Sequence, residues 1–300
     1  MGNNAHMAYK TPQGITAAGI ETGATKAALS PDKALVAGFL AGAYIAFAGL
    51  LAIVTSAGLP PERWGGIPTL ITGSVFALGL ILVVIAGSEL LTGNMALVPL
   101  AAMGRRATIA GLTRNFVFVL IGNLLGSLFV AYFLAKETGV VTAAQPLARL
   151  DAIATAKGIT ESDWQIFLRA VGCNWLVCLA VWMALGAEDI GGKILAIFFP
   201  IMAFVAMGFD HVVANMFFLP AAIFAHAGDI TWGDAIKNWI FAFLGNFVGA
   251  AVFVAGAYYY LYGRVPLEQA GDTPAGIPED GRGEVGDGRA AGIGRAGPRA

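Results

Sequence analysis

The chain alternates long apolar blocks with short polar segments. Blocks with few or no charges cover residues 34–57, 64–103, 112–135, 164–185, 193–225 and 234–262. A membrane-spanning helix takes about 20 mostly apolar residues, so each block predicts a span. Two blocks are too long for one helix, and both carry ionisable residues inside: Glu89 in the second, Asp210 and His211 in the fifth. A carboxylate near mid-membrane is expensive unless paired, and so is an unpaired backbone group. Breaking the helix eases both costs. The loosened turn is expected to offer backbone N–H groups to Glu89 and Asp210, with Asn94 and Asn215 satisfying freed carbonyls. Gly87, Gly93 and Gly208 permit the turn. The expected fold class is an all-α membrane protein of six spans, the second and fifth interrupted.

The chain also matches itself. The pattern G-x-[ED]-x4-N-M-x3-P occurs at 87–99 and at 208–220, an offset of 121 residues. A second pair follows: Arg114-Asn115-Phe116, Gly122-Asn123 and Gly126 match Lys237-Asn238-Trp239, Gly245-Asn246 and Gly249, an offset of 123. Each repeat holds three spans. Three is odd, so the second copy enters the bilayer from the opposite side, an inverted 3+3 repeat of the kind found in transport proteins. The half-helix N-termini at the two breaks carry partial positive charge toward the centre, which favours an anion between them. The domains read as an N-terminal segment 1–30, a six-span domain 31–263 (repeats 31–135 and 164–263, outer loop 136–163) and a disordered tail 264–300.

Composition agrees with this pattern. Hydrophobic residues make up 57% of the 300 and charged residues 12%, against about 25% charged in a typical soluble domain. A net charge of -1 offers no basic field for nucleic acid. The two cysteines, Cys173 and Cys178, sit in one apolar run and read as packing residues. Basic residues in the short loops favour the side of the N-terminus, placing both termini in the cytoplasm of a plasma (inner) membrane protein. The run Tyr258, Tyr259, Tyr260 reads as an interfacial belt.

His211 is the only histidine well inside a predicted span; His6 lies in the N-terminal segment and His226 at a span end. Imidazole titrates near neutrality, so a buried ring on a permeation path can supply or accept a proton. The plainer reading is a histidine hydrogen-bonded to structure. No second His, Cys or carboxylate stands three or four residues away, so no metal site is expected. Thr92, in the matching break, offers a hydroxyl to a permeating anion or to its own backbone. Asp210 and Glu89 are read as holding the breaks. Asn174, in an apolar stretch, lines a pore or joins helices. Phe76, Leu80, Leu90, Phe204 and Val177 are core residues or hydrophobic constrictions that exclude hydrated ions. Lys157, in the outer loop, is a solvated charge or an attractor of anions.

The segments GSELLTGN (87–94), CNWLVCLAVW (173–182), GFDHVVANMFFLP (208–220), KNW (237–239) and GNFVGA (245–250) resemble the formate/nitrite transporter family, and the similarity runs from about 31 to 263. The resemblance implies an aquaporin-like fold and a homopentamer with one pore per protomer. It implies permeation of small monovalent weak-acid anions: formate, nitrite, hydrosulfide, or acetate and lactate. By position, His211 matches the central pore histidine, Asp210 and Asn215 its polar neighbours, and Thr92 the threonine facing it. Phe76, Leu80 and Leu90 match the cytoplasmic constriction; Phe204, Asn174 and Val177 match the outer one, and Lys157 the vestibule lysine. Leu91 stands where formate channels tend to have Phe, and Glu89 where they have Asp, which leans toward the nitrite and general branches.

A bare anion crossing two apolar rings must shed its water, whereas a neutral acid pays far less. The expected mechanism draws the anion into a vestibule, protonates it near His211 and Thr92, and passes it on uncharged. A neutral-solute pore of aquaporin type is the alternative, but it calls for paired Asn-Pro-Ala turns and this chain has Asn-Met in both repeats. An intramembrane enzyme would need a nucleophile beside a base or a metal cluster. No catalytic residue and no cofactor are therefore expected.

Overall fold

The computed structural model describes residues 9–263, so the expectations for His6 and for the tail 264–300 lie outside the described residues. Twelve α-helices follow in order: α1 (Pro12–Ala28), α2 (Pro31–Ser56), α3 (Pro61–Trp64), α4 (Ile67–Leu82), α5 (Leu91–Met103), α6 (Ile109–Phe129), α7 (Ala144–Thr155), α8 (Asp163–Gly186), α9 (Ile190–Ala206), α10 (Val212–Ala225), α11 (Trp232–Ala250) and α12 (Ala257–Tyr262). Single π-helical stretches extend α4 to Gly87, α6 to Lys136 and α7 to Thr160, and join α11 to α12.

Five continuous helical segments are long and apolar enough to cross a bilayer: Pro31–Ser56, Ile67–Gly87, Ile109–Lys136, Asp163–Gly186 and Trp232–Tyr262. The remaining span, fifth in chain order, is built from α9 and α10, and α5 completes the second. At 13 and 14 residues, α5 and α10 are about 20 Å long. Neither crosses a hydrocarbon core of about 30 Å alone, so each ends in the interior. Their side chains are buried almost throughout, as expected of segments enclosed by the continuous spans.

Sequence chemistry sets the helix ends. Ser162 and Gln165 form a reciprocal cap at the start of α8, and Thr231 with Asp234 does the same for α11. Gly87 and Gly208 close the first halves of the two broken spans at φ 82° and 72°, a left-handed conformation that a side chain resists. Gly93, expected to join them, lies inside α5 instead.

Small residues let the spans cross closely, as membrane helices require. A Cβ on Gly126 of α6 would sit 2.0 Å from the carbonyl oxygen of Phe39 in α2, and one on Gly249 of α11 would sit 2.3 Å from that of Val171 in α8. These two crossings correspond under the repeat. Outward faces are apolar: Val117, Ile121, Leu125 and Phe129 form an exposed stripe along α6. α2 begins beside α1, and its last turn meets α7 where Arg149 Nε donates to Ser56 Oγ. α1 and α7 therefore lie at opposite ends of the bundle.

Candidate functional site: a polar centre between two vestibules

The two breaks carry the same set of hydrogen bonds. Asn123 of α6 donates from Nδ2 to the carbonyls of Glu89 and Gly38 and accepts the Leu91 N–H at Oδ1. Asn246 of α11 donates to the carbonyls of Asp210 and Ala170 and accepts the Val212 N–H. These two asparagines, not Asn94 and Asn215, satisfy the freed backbone. Sequence reasoning aligned them in the repeat but gave them no role.

Asn94 and Asn215 hold the carboxylates instead. Asn94 Nδ2 donates to Glu89 Oε2 and to Asn115 Oδ1; Asn215 Nδ2 donates to Asp210 Oδ1 and to Asn238 Oδ1, all at 2.8 Å. The charge partners are lysines rather than backbone N–H groups. Lys26 Nζ of α1 reaches Glu89 at 2.7 Å, and Lys157 Nζ, in the turn after α7, reaches Asp210 at 2.9 Å. Asn115 and Asn238 fix those lysine turns by donating to the carbonyls of Lys26 and Lys157. The two-fold correspondence thus reaches beyond the triplets of spans, into α1 and the α7 connection. Lys26 was missed because α1 carries no apolar block; only its symmetry with Lys157 marks it.

The repeat breaks its own symmetry at the centre. His211 is the N-cap of α10, and its counterpart at the same offset is Leu90, the N-cap of α5. His211 Nδ1 accepts the Ala214 N–H at 3.1 Å. A nitrogen that accepts carries no proton, so the ring is neutral with its hydrogen on Nε2. Nε2 lies 2.8 Å from Thr92 Oγ1 and donates to it. The Thr92 hydroxyl keeps its own hydrogen for another acceptor, having no other hydrogen bond among the described residues. Both side chains are buried, at 2% and 0% exposure. The N-termini of α5 and α10 meet here, with their partial positive charge.

Two cavities approach this point. One, of about 530 Å³, lies beside α1 and is lined by Lys26, Lys33, Glu89, Leu80, Leu90 and Lys193 among others. The other, of about 270 Å³, lies beside α7 and includes Arg149, Lys157, Glu161, Arg169, Phe204 and His211. Between them is a void of only about 10 Å³ walled by Ile45, Phe76, Leu80, Leu90, Val177, Ile201, Phe204 and His211. That is about the least space that holds one water.

Phe76 walls the central void together with Leu80 and Leu90; it also lines the α7-side cavity and meets Phe204 edge-on, ring centroids 6.1 Å apart. One expectation is corrected. Asn174 lines none of these cavities. It donates to the carbonyls of Thr92 and Asn246, so it joins α5 to α11. Val177 and Phe204 both wall the central void.

On the α7 side Glu161 extends the charge cluster. It is 6% exposed, and its Oε1 accepts from Arg169. Its Oε2 and Asp210 Oδ2 have no ordinary donor, and the two carboxyl groups lie within hydrogen-bonding reach of each other. Burial, then the neighbouring Asp210, push the Glu161 carboxyl up to about 7. The described residues contain no group of three or more His, Cys, Asp or Glu placed to hold a metal.

A sequence model of the family described as formate/nitrite transporter matches residues 13–260. The chain is 51% identical over 245 residues to a probable formate transporter of Methanothermobacter thermautotrophicus, covering 77% of this chain and 89% of that one. It is 43% identical over 256 residues to a formate channel of Bacillus thuringiensis, covering 85% and 97%. Among solved structures it resembles an FNT family ion channel with a TM-score of 0.75 at 31% identity, over 82% of this chain and 98% of that one. A pentameric formate channel with formate bound matches with a TM-score of 0.69 at 31% identity, over 78% and 98%. With helical spans, paired breaks and nearly full-length matches in agreement, this integral membrane protein belongs to the formate/nitrite transporter family.

Proposed function

We propose that the chain conducts small monovalent weak-acid anions of the formate and nitrite class, and that each anion crosses the centre as its neutral acid. The observation that carries this reading is the hydrogen bond between Thr92 and His211, whose ring borders a narrow void walled by Leu80, Leu90, Phe76 and Phe204. A charged ion has no hydration in such a gap, and a single imidazole with a single hydroxyl replaces little of it. The neutral acid fits that environment.

In this mechanism the anion enters a vestibule and meets the O–H of Thr92, whose oxygen already accepts Nε2–H of His211. With Nδ1 engaged by Ala214, the ring can give up Nε2–H only by becoming an anion. The proton therefore reaches the substrate through vestibule water, while Thr92, held by His211, presents its O–H to the substrate. Lys26–Glu89 and Lys157–Asp210 keep the breaks open and the central half-helices in place. The assembly we propose is a pentamer with one pore per chain, as in the pentameric relative. The α1 side faces the cytoplasm, in keeping with the distribution of basic residues, and the α7 side faces outward.

Swelling of reconstituted vesicles in formate, nitrite, hydrosulfide and glycerol tests the reading. The anions enter, faster as pH falls, and glycerol stays out. Entry of glycerol as fast as formate, without pH dependence, overturns it.

A further inference from the structure

The vestibule beside α7 holds three cations, and they are not equivalent. Lys157 is bound to Asp210 at 2.9 Å, and Arg169 is bound to Glu161. Arg149 has no carboxylate partner among the described residues. Its Nε donates to Ser56 Oγ at 2.9 Å and its Nη2 to Thr72 Oγ1 at 3.4 Å. Both hydroxyls spend their own hydrogens elsewhere, on the carbonyls of Ala52 and Pro68. They serve Arg149 as pure acceptors, holding the guanidinium in place without neutralising it.

A guanidinium has five N–H donors. Two are used here, which leaves Nη1 and the second hydrogen of Nη2, the edge that grips two oxygens of a planar anion at once. The group is half-buried on α7, lines the cavity that ends at His211, and loses stability as a bare charge through burial. A small anion relieves that cost.

We propose that Arg149 is the anion-docking residue of the α7-side vestibule, taking planar two-oxygen monoanions (carboxylate or nitrite) before they reach His211. Lys157 serves the helix break instead, because its charge is already matched by Asp210. This inference rests on the transport reading above and names the cation through which that vestibule selects its substrate.

The test is formate flux into proteoliposomes carrying the chain in one orientation, with formate supplied to the α7 side at low ionic strength. For R149Q the half-saturating concentration rises about tenfold, which corresponds to ~1.4 kcal/mol, while the maximal flux stays within about twofold of the unaltered chain. R149K keeps the charge but not the fork; it shows an intermediate half-saturation and retains the salt dependence that R149Q loses. Half-saturation unchanged in both variants overturns the inference, as does a loss of maximal flux at constant half-saturation. Failure of the unaltered chain to move formate would instead overturn the transport reading, so the two are told apart.

Discussion

Asn123 and Asn246 stand at corresponding places in the two repeats, and each closes one broken helix with the same three hydrogen bonds. Each is fully buried, and each bonds the residues on both sides of a half-helix N-cap, Leu90 or His211, and ties them to α2 or α8. The polar centre depends on both clamps, because Leu91 and Val212 start the half-helices that carry Thr92 and His211.

Replacing Asn246 with Ala leaves the Val212 N–H and the Asp210 carbonyl without their Asn246 partner and removes the second bond to the Ala170 carbonyl, which lies inside α8. Each unsatisfied buried group costs about 1–3 kcal/mol. The Asn246→Ala protein should therefore lose about 3 kcal/mol or more, read as a lowered melting temperature in detergent, and Asn123→Ala should match it. A melting temperature unaltered in both would mean that water or neighbouring groups take over the clamp.

Lys157 and Asp210 form the more deeply buried of the two ion pairs, with side chains 12% and 0% exposed. Removing one partner of such a pair costs about 3–5 kcal/mol, because the other charge stays buried alone. Lys157→Met should be strongly destabilised, and Lys157→Met with Asp210→Asn should recover most of the loss. A double-mutant cycle of melting temperatures and formate flux measures the coupling; additive effects would contradict the pairing.

Glu161 makes stability depend on pH. Its carboxyl is raised to about 7 in the folded chain by burial and by Asp210, so the folded state holds a proton that the unfolded state has released. The stabilising contribution is complete below the ordinary glutamate pKa of about 4.3 and is lost as pH rises through 7. The melting temperature should fall between pH 5 and pH 8, and Glu161→Gln should flatten that fall. An equal slope in both proteins would place the titration elsewhere.

Much of this was legible in the sequence because lipid imposes a blunt requirement. Spans show as apolar blocks, and the breaks show as a glycine and an acid inside a block. The repeat shows because Asp210 and Glu89 recur with Asn215 and Asn94 at one offset. What stayed hidden depends on contacts between distant segments. Lys26 lies in a helix that the hydropathy pattern does not mark, and its meeting with Glu89 spans 63 residues. The contact of Phe76 with Phe204 is set by how α4 packs against α9, which no local spacing encodes. Asn174 read equally well as pore lining or as helix glue until its partners, the carbonyls of Thr92 and Asn246, were in view. The neutral state of His211 follows from one backbone contact, Ala214 N–H to Nδ1, which no spacing rule encodes.

The central claim is that the substrate passes His211 and Thr92 without charge. It is tested most directly by recording formate and proton entry together in proteoliposomes while the membrane potential is set with potassium and valinomycin. The account predicts one proton entering with each formate and a flux that ignores the imposed potential. Formate flux that follows the potential, with no accompanying proton, would contradict it.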